Sequence, residues 1–101
     1  MEVDKIEKLI WTNDGIKSFE EVIKYISKDS VYYASSFAKR ILSSIEELKK
    51  FPKMGRIVPE YNNPEIRELI YQNYRIVYKI HLKIIYILLV THGTQELPAN
   101  I

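Results

Sequence analysis

Between Gly55 and Gly93 the chain sets arginines, lysines and histidines into segments of alternating apolar and polar residues. Arg67 lies in Ile66-Arg67-Glu68-Leu69, Arg75 and Lys79 lie in Tyr74-Arg75-Ile76-Val77-Tyr78-Lys79, and His92 closes Ile84 to Thr91. A guanidinium offers a rigid fork of donors that fits a phosphate or a carboxylate. An imidazole titrates near neutrality, which suits proton transfer. Arg75 and His92 are therefore the candidate catalytic residues, and Arg67, Arg75 and Lys79 the candidate contacts to an acidic target. Each has a plainer alternative. Arg75 can pair with Glu68 across a strand ladder. Arg67 points outward if Ile66 and Ile70 face the core; if Leu69 and Tyr71 do, it is buried and needs a partner such as Glu60. His92 can be a hydrogen-bonded strand end, and His81 a solvated residue near Lys79 and Lys83. Arg56 and Glu60 bracket a turn-rich stretch and read as residues that fix a loop.

Several chemistries drop out. The chain has no cysteine, so it has no thiolate nucleophile, disulfide or thiolate metal site. No histidines and carboxylates recur at ligand spacing, so no metal is expected, nor any other cofactor. Net charge is +2 over 101 residues, but no acid occurs between Leu69 and Gln95, where Arg75, Lys79, His81, Lys83 and His92 lie. That asymmetry predicts a locally basic face. The sequence pI of about 8.8 is below that of a dedicated nucleic-acid binder. The charged start, with Glu2, Asp4, Lys5, Glu7 and Lys8, has no apolar signal region. The longest apolar run, Ile84 to Val90, falls far short of the roughly 20 residues that span a bilayer. A cytoplasmic protein with no membrane contact is expected.

Elements must position these side chains. Val3 to Trp11 predicts a strand. Thr12 is a helix N-cap with Asp14 in the first turn, and Ile16, Phe19, Val22, Ile23 and Ile26 recur at helical spacing to about Lys28. Asp29 or Ser30 caps a second helix, whose apolar stripe is Ala34, Phe37, Ala38, Ile41, Leu42, Ile45 and Leu48. Phe51-Pro52 ends it. Lys53 to Asn63 reads as a loop. Strands are predicted over Glu65–Tyr71, Tyr74–Leu82 and Ile84–Thr91, joined by connections short enough to make neighbours antiparallel. The result is one α+β domain over residues 1–101, in the order β-α-α-β-β-β. Its antiparallel sheet carries a helical hairpin on one face and is partly open on the other.

That order resembles the RelE/ParE toxins of type II toxin–antitoxin systems. The likeness is carried by Trp11-Thr12, Phe51-Pro52-x-x-Gly55-Arg56-x-x-Pro59-Glu60, Ile66-Arg67-Glu68-Leu69, Asn73-Tyr74-Arg75-Ile76-Val77-Tyr78 and His92-Gly93. It runs from about Val3 to Gly93 and is nearest to the ParE-like, plasmid-stabilisation branch. The resemblance implies a toxin held inactive in a hetero-oligomer with a cognate antitoxin. ParE-like members poison DNA gyrase and cut nothing. RelE-like members cut mRNA on the ribosome, where cations and an acid/base group must deprotonate a 2′-hydroxyl and stabilise charge on the phosphate. Of that cationic set the resemblance carries over only Arg75. Ile66 and Glu68 stand where RelE has lysines, Thr94 and Gln95 where it has basic residues, and no tyrosine occurs from Gln95 to Ile101. Gyrase inhibition is thus the leading expectation. The alternatives are a ribosome-dependent endoribonuclease using Arg75 and His92, and a non-toxic degenerate interaction module.

Overall fold

A computed structural model describes residues 5–101. The elements are β1 (Lys8–Trp11), α1 (Asn13–Ser27), α2 (Val31–Glu47), β2 (Arg56–Ile57), β3 (Ile66–Tyr71), β4 (Tyr74–His81) and β5 (Ile84–His92). Both helices begin at the predicted caps. The Thr12 hydroxyl accepts from the Gly15 amide, and the Ser30 hydroxyl from the Tyr33 amide. The first strand starts at Lys8; of its predicted residues, Val3 and Asp4 lie outside the described ones.

The sheet order is β1-β5-β4-β3-β2. Two features depart from expectation. The sheet is mixed rather than antiparallel, because β1 pairs parallel with β5, Lys8 opposite Ile84 and Trp11 opposite Ile87. A parallel pair needs a long crossover, and everything from α1 to β4 lies between these two strands. In addition, the predicted loop over Lys53–Asn63 contains the short strand β2, whose Arg56 and Ile57 pair antiparallel with Glu68 and Arg67. Strands β3, β4 and β5 form the expected antiparallel meander, with an irregularity between Val77 and Tyr78.

The sheet separates two apolar clusters. On the helix side Phe37, Ile41, Ile45 and Leu48 of the second helical segment meet Ile76, Tyr78, Ile85, Ile87 and Val90. Phe37 is the hub, its ring centroid 5.4 Å from Tyr71 and 5.1 Å from Tyr74. On the other side Val58, Ile66, Val77 and Leu97 are buried, with Tyr61, Leu88 and Leu89 packed around them. The second face is therefore covered at its middle by the Val58–Asn62 turn and by the C-terminal tail. Among the described residues, no helix is long and apolar enough to cross a membrane.

Candidate functional site: a buried arginine–carboxylate network

Strand alternation places Glu68 on the second face, between Ile66 and Ile70. Glu68 pairs with Val77 in the register, so Arg75, two residues before Val77, is its diagonal neighbour on the same face. The Glu68 carboxylate is fully buried. It accepts from Arg75 Nε at 2.5 Å and Nη2 at 3.1 Å, and from Arg56 Nε at 2.7 Å. From the loop side, Glu60 takes the outer edge of the same guanidinium in a bidentate pair, Nη1 and Nη2 each at 2.8 Å. The chain Arg56–Glu68–Arg75–Glu60 is thus continuous.

Its electrostatics follow from this geometry. The Arg75 guanidinium holds the Glu60 carboxyl well down, from 4.5 to about 2. The two carboxylates in turn raise Arg75 further above the ordinary arginine range. Charge pairing with full hydrogen bonding is what makes burial of these groups tolerable. Among the described residues, no buried side-chain nitrogen or oxygen lacks a partner.

Arg67 follows neither of the two predicted alternatives in full. Leu69 and Tyr71 do pack towards the helix-side core, yet Arg67, between Ile57 of β2 and Tyr78 of β4, is half-buried and its hydrogen-bond partners are backbone carbonyls, not Glu60. Nε donates to the Pro64 carbonyl at 3.0 Å and Nη1 to that of Gly55 at 3.0 Å. The neighbouring turn is tied down by Tyr78, whose hydroxyl accepts from the Gly55 amide at 3.0 Å and donates to the Pro52 carbonyl at 2.7 Å. Burial raises the Tyr78 hydroxyl pKa. A Cβ on Gly55 would sit 2.6 Å from the Glu68 carbonyl oxygen and 2.7 Å from the Tyr78 hydroxyl, so only glycine fits where β2 crosses this tyrosine.

His92 does not share a face with Arg75. It pairs with Tyr74, while Arg75 pairs with Thr91, and its ring packs edge-on against Tyr74 at 5.2 Å. Strand alternation starts the two side chains on opposite faces of the sheet, but at its end both border one concavity with Arg56, Gln72 and Gly93, so His92 lies near Arg75 without a contact between them. His92 Nδ1 accepts from the Thr94 amide at 3.2 Å and contacts the Thr94 hydroxyl at 2.7 Å. A backbone amide can only donate, so in the neutral ring the proton sits on Nε2. Lys79 is half-buried on the second face, in one row with Ile66 and Tyr86. His81 is exposed, 3.8 Å from Glu65.

The arrangement is well built to hold a loop to a sheet and poorly built to hold a phosphate. A phosphate gripped by both outer nitrogens of Arg75 would have to displace Glu60. Among the described residues, no three histidine, aspartate or glutamate side chains group as metal ligands. Two residues central to the geometry gave little signal beforehand: Glu68, visible only as one possible partner of Arg75, and Tyr78, whose apolar parity concealed the role of its hydroxyl.

Known proteins resemble the chain in two independent ways. The family model described as "ParE toxin of type II toxin-antitoxin system, parDE" matches residues 9–97. Nine chains of solved structures match. One comes from a structure described as the chromosomal ParDE TA system from P. aeruginosa. It has a TM-score of 0.70 at 16% identity, covering 89% of this chain and 98% of that one. No curated protein sequence matches. At that identity the structural likeness speaks for the fold, and the family match spans most of the sequence. The chain belongs to the ParE toxin family of type II toxin–antitoxin systems.

Proposed function

We propose that this protein is a growth-inhibiting toxin that acts by binding DNA gyrase in the cytoplasm, carries out no reaction of its own, and is silenced by a cognate antitoxin in a plasmid-stabilising pair. Family membership carries the toxin role and the antitoxin partner. One observation favours inhibition by binding over catalysis: four of the five Arg75 donors are taken up by Glu60 and Glu68, and His92 leaves the sheet on the opposite face. Ribonuclease chemistry needs an acid/base group and a phosphate-stabilising cation within reach of one substrate. Here Arg75 and His92 border one concavity, but they leave the sheet on opposite faces and most Arg75 donors are already engaged by carboxylates. Arg75 and Arg67 fit better as scaffold arginines, leaving Lys79 as the one candidate target contact that keeps an open position.

Induction without antitoxin, read simultaneously for supercoiling and for mRNA ends, tests this. The expected result is growth arrest with lost supercoiling or trapped cleaved DNA, and unaltered mRNA ends. Cuts in ribosome-bound mRNA that vanish in Arg75→Ala and His92→Ala would establish the endoribonuclease instead. Normal growth would mark a non-toxic interaction module.

A further inference from the structure

Below the middle of the second face, among the described residues, side chains of the sheet remain half-buried or exposed beyond the Val58–Asn62 turn and the tail. Two rows of side chains lie there. Lys79, Tyr86 and Ile10 form one, across β4, β5 and β1; His81, Ile84 and Lys8 form the next. Neighbouring strands are about 4.8 Å apart and alternate residues about 7 Å, so Lys79 and Lys8 stand on opposite sides of an apolar centre roughly 10 Å across. Ile10 is 38% exposed, and Tyr86 and Ile84 are half-buried. Lys83 and the 78% exposed Leu82 occupy the hairpin turn at the lower rim. The carboxylate Glu65 borders the patch beside His81, and the exposed Glu7 precedes Lys8, its amide donating to the Lys83 carbonyl at the lower rim. Among the described residues, none of Lys8, Lys79 and Lys83 has a carboxylate within ion-pair distance.

An apolar centre within a charged rim is the anatomy of a protein-binding surface. We propose that this patch, comprising Lys8, Ile10, Lys79, Tyr86 and the Lys83 turn, is the surface that grips the target, and that the target presents an apolar spot bordered by carboxylates. The inference rests on the reading of the chain as an inhibitor that works by binding. A protein is favoured over a nucleic acid for three reasons. The single aromatic lies half-buried among aliphatic side chains rather than free for stacking. The cations are lysines at a rim rather than arginines in a groove. The whole chain carries only +2. Arg75, sealed in its ion pairs, plays no part in this contact.

The test measures binding of the purified full chain to purified gyrase, to a glutamate–tyrosine copolymer as an acidic, partly apolar probe, and to an oligothymidylate. Lys8→Glu with Lys79→Glu should weaken gyrase binding about tenfold or more, mainly through a slower association rate, because like charges then face each other. Tyr86→Ala should cost about tenfold through faster dissociation. Lys83→Glu, in an exposed turn, gives a charge reversal with no demand on folding, and unchanged melting temperatures certify the others. Gyrase binding equal to wild type in all these variants overturns the proposal. If the wild type does not bind gyrase, the gyrase reading fails and the copolymer decides: binding that the variants lose upholds the patch, and no binding or unchanged binding sinks it. Tighter binding of oligothymidylate than of copolymer also overturns it, in favour of a nucleic acid.

Discussion

Glu60 holds Arg75 from the loop while Glu68 holds it from the sheet, and only Glu60 meets solvent, its side chain 46% exposed. Its folded pKa of about 2 lies below the ordinary 4.5. A depressed carboxylate contributes stability that is present above its unfolded pKa and is lost as pH falls through its folded one. The wild type should therefore lose stability relative to Glu60→Gln between about pH 4.5 and 2. Solvent screening at so exposed a group keeps the difference modest. Urea denaturation at stepped pH reads this directly. A gap between the two proteins that stays constant down to pH 2 would mean the charge is not its source. At this scale the sequence was half legible. Strand alternation made Glu68 and Arg75 possible partners, because both lie in short, strongly patterned segments. Glu60 reaches Arg75 from a loop 15 residues away, and no periodic pattern encodes where a loop folds back.

The contact between α1 and β5 shows what an element can and cannot announce. The Thr12 cap and the apolar spacing made α1 readable. The docking of its first turns did not follow from them. Thr12 donates through its amide and its hydroxyl to the Ile87 carbonyl. A Cβ on Gly15 would overlap that same carbonyl, so the helix can approach so closely only with glycine there. One turn on, the Ser18 hydroxyl accepts from the Val90 amide at 2.9 Å and donates to the Gly15 carbonyl at 3.1 Å. Strand β1 pairs with Ile84 to Ile87, so beyond it the β5 edge has no strand neighbour on that side among the described residues, and Ser18 stands in for one. A sheet edge left open invites pairing with other chains. Ser18→Ala removes the acceptor and should cost about 1–3 kcal/mol. Thermal unfolding with native-state hydrogen exchange checks both the loss and its place: the Val90 amide should exchange faster, and a stability equal to wild type would show that water replaces the hydroxyl. The parallel β1–β5 pairing was hidden for a related reason. It joins segments at opposite ends of the chain, whereas short connections reveal only neighbours in sequence.

At the scale of the whole molecule, the sheet is stabilised on both faces by segments distant in sequence. The helical hairpin covers one. The other depends on the turn carrying Val58 and Tyr61 and on a tail with few apolar residues. From Gln95 to Ile101 only Leu97, Ala99 and Ile101 could be buried, too few for a periodic pattern, so no element was predicted there. Leu97 is nonetheless buried with Val58, Ile66 and Val77. The Tyr61 hydroxyl donates to the Pro98 carbonyl at 2.5 Å, and burial raises its pKa. This makes the tail a tie between the turn and the sheet, and the same turn carries Glu60 to Arg75. Leu97→Ala should therefore do two things. It should cost about 2–3 kcal/mol, the lower part of the range for a buried leucine because the cluster is small and near the surface. It should also loosen the Glu60–Arg75 pair, which the substitution does not touch, so that Glu60 titrates nearer its ordinary value. Denaturation supplies the first reading and the Glu60 carboxyl resonance in a pH titration the second. A stability loss with an unmoved Glu60 titration would mean that tail and turn act independently. Both shifts together would show that the ion pair at the centre of the second face is held in place by the last residues of the chain.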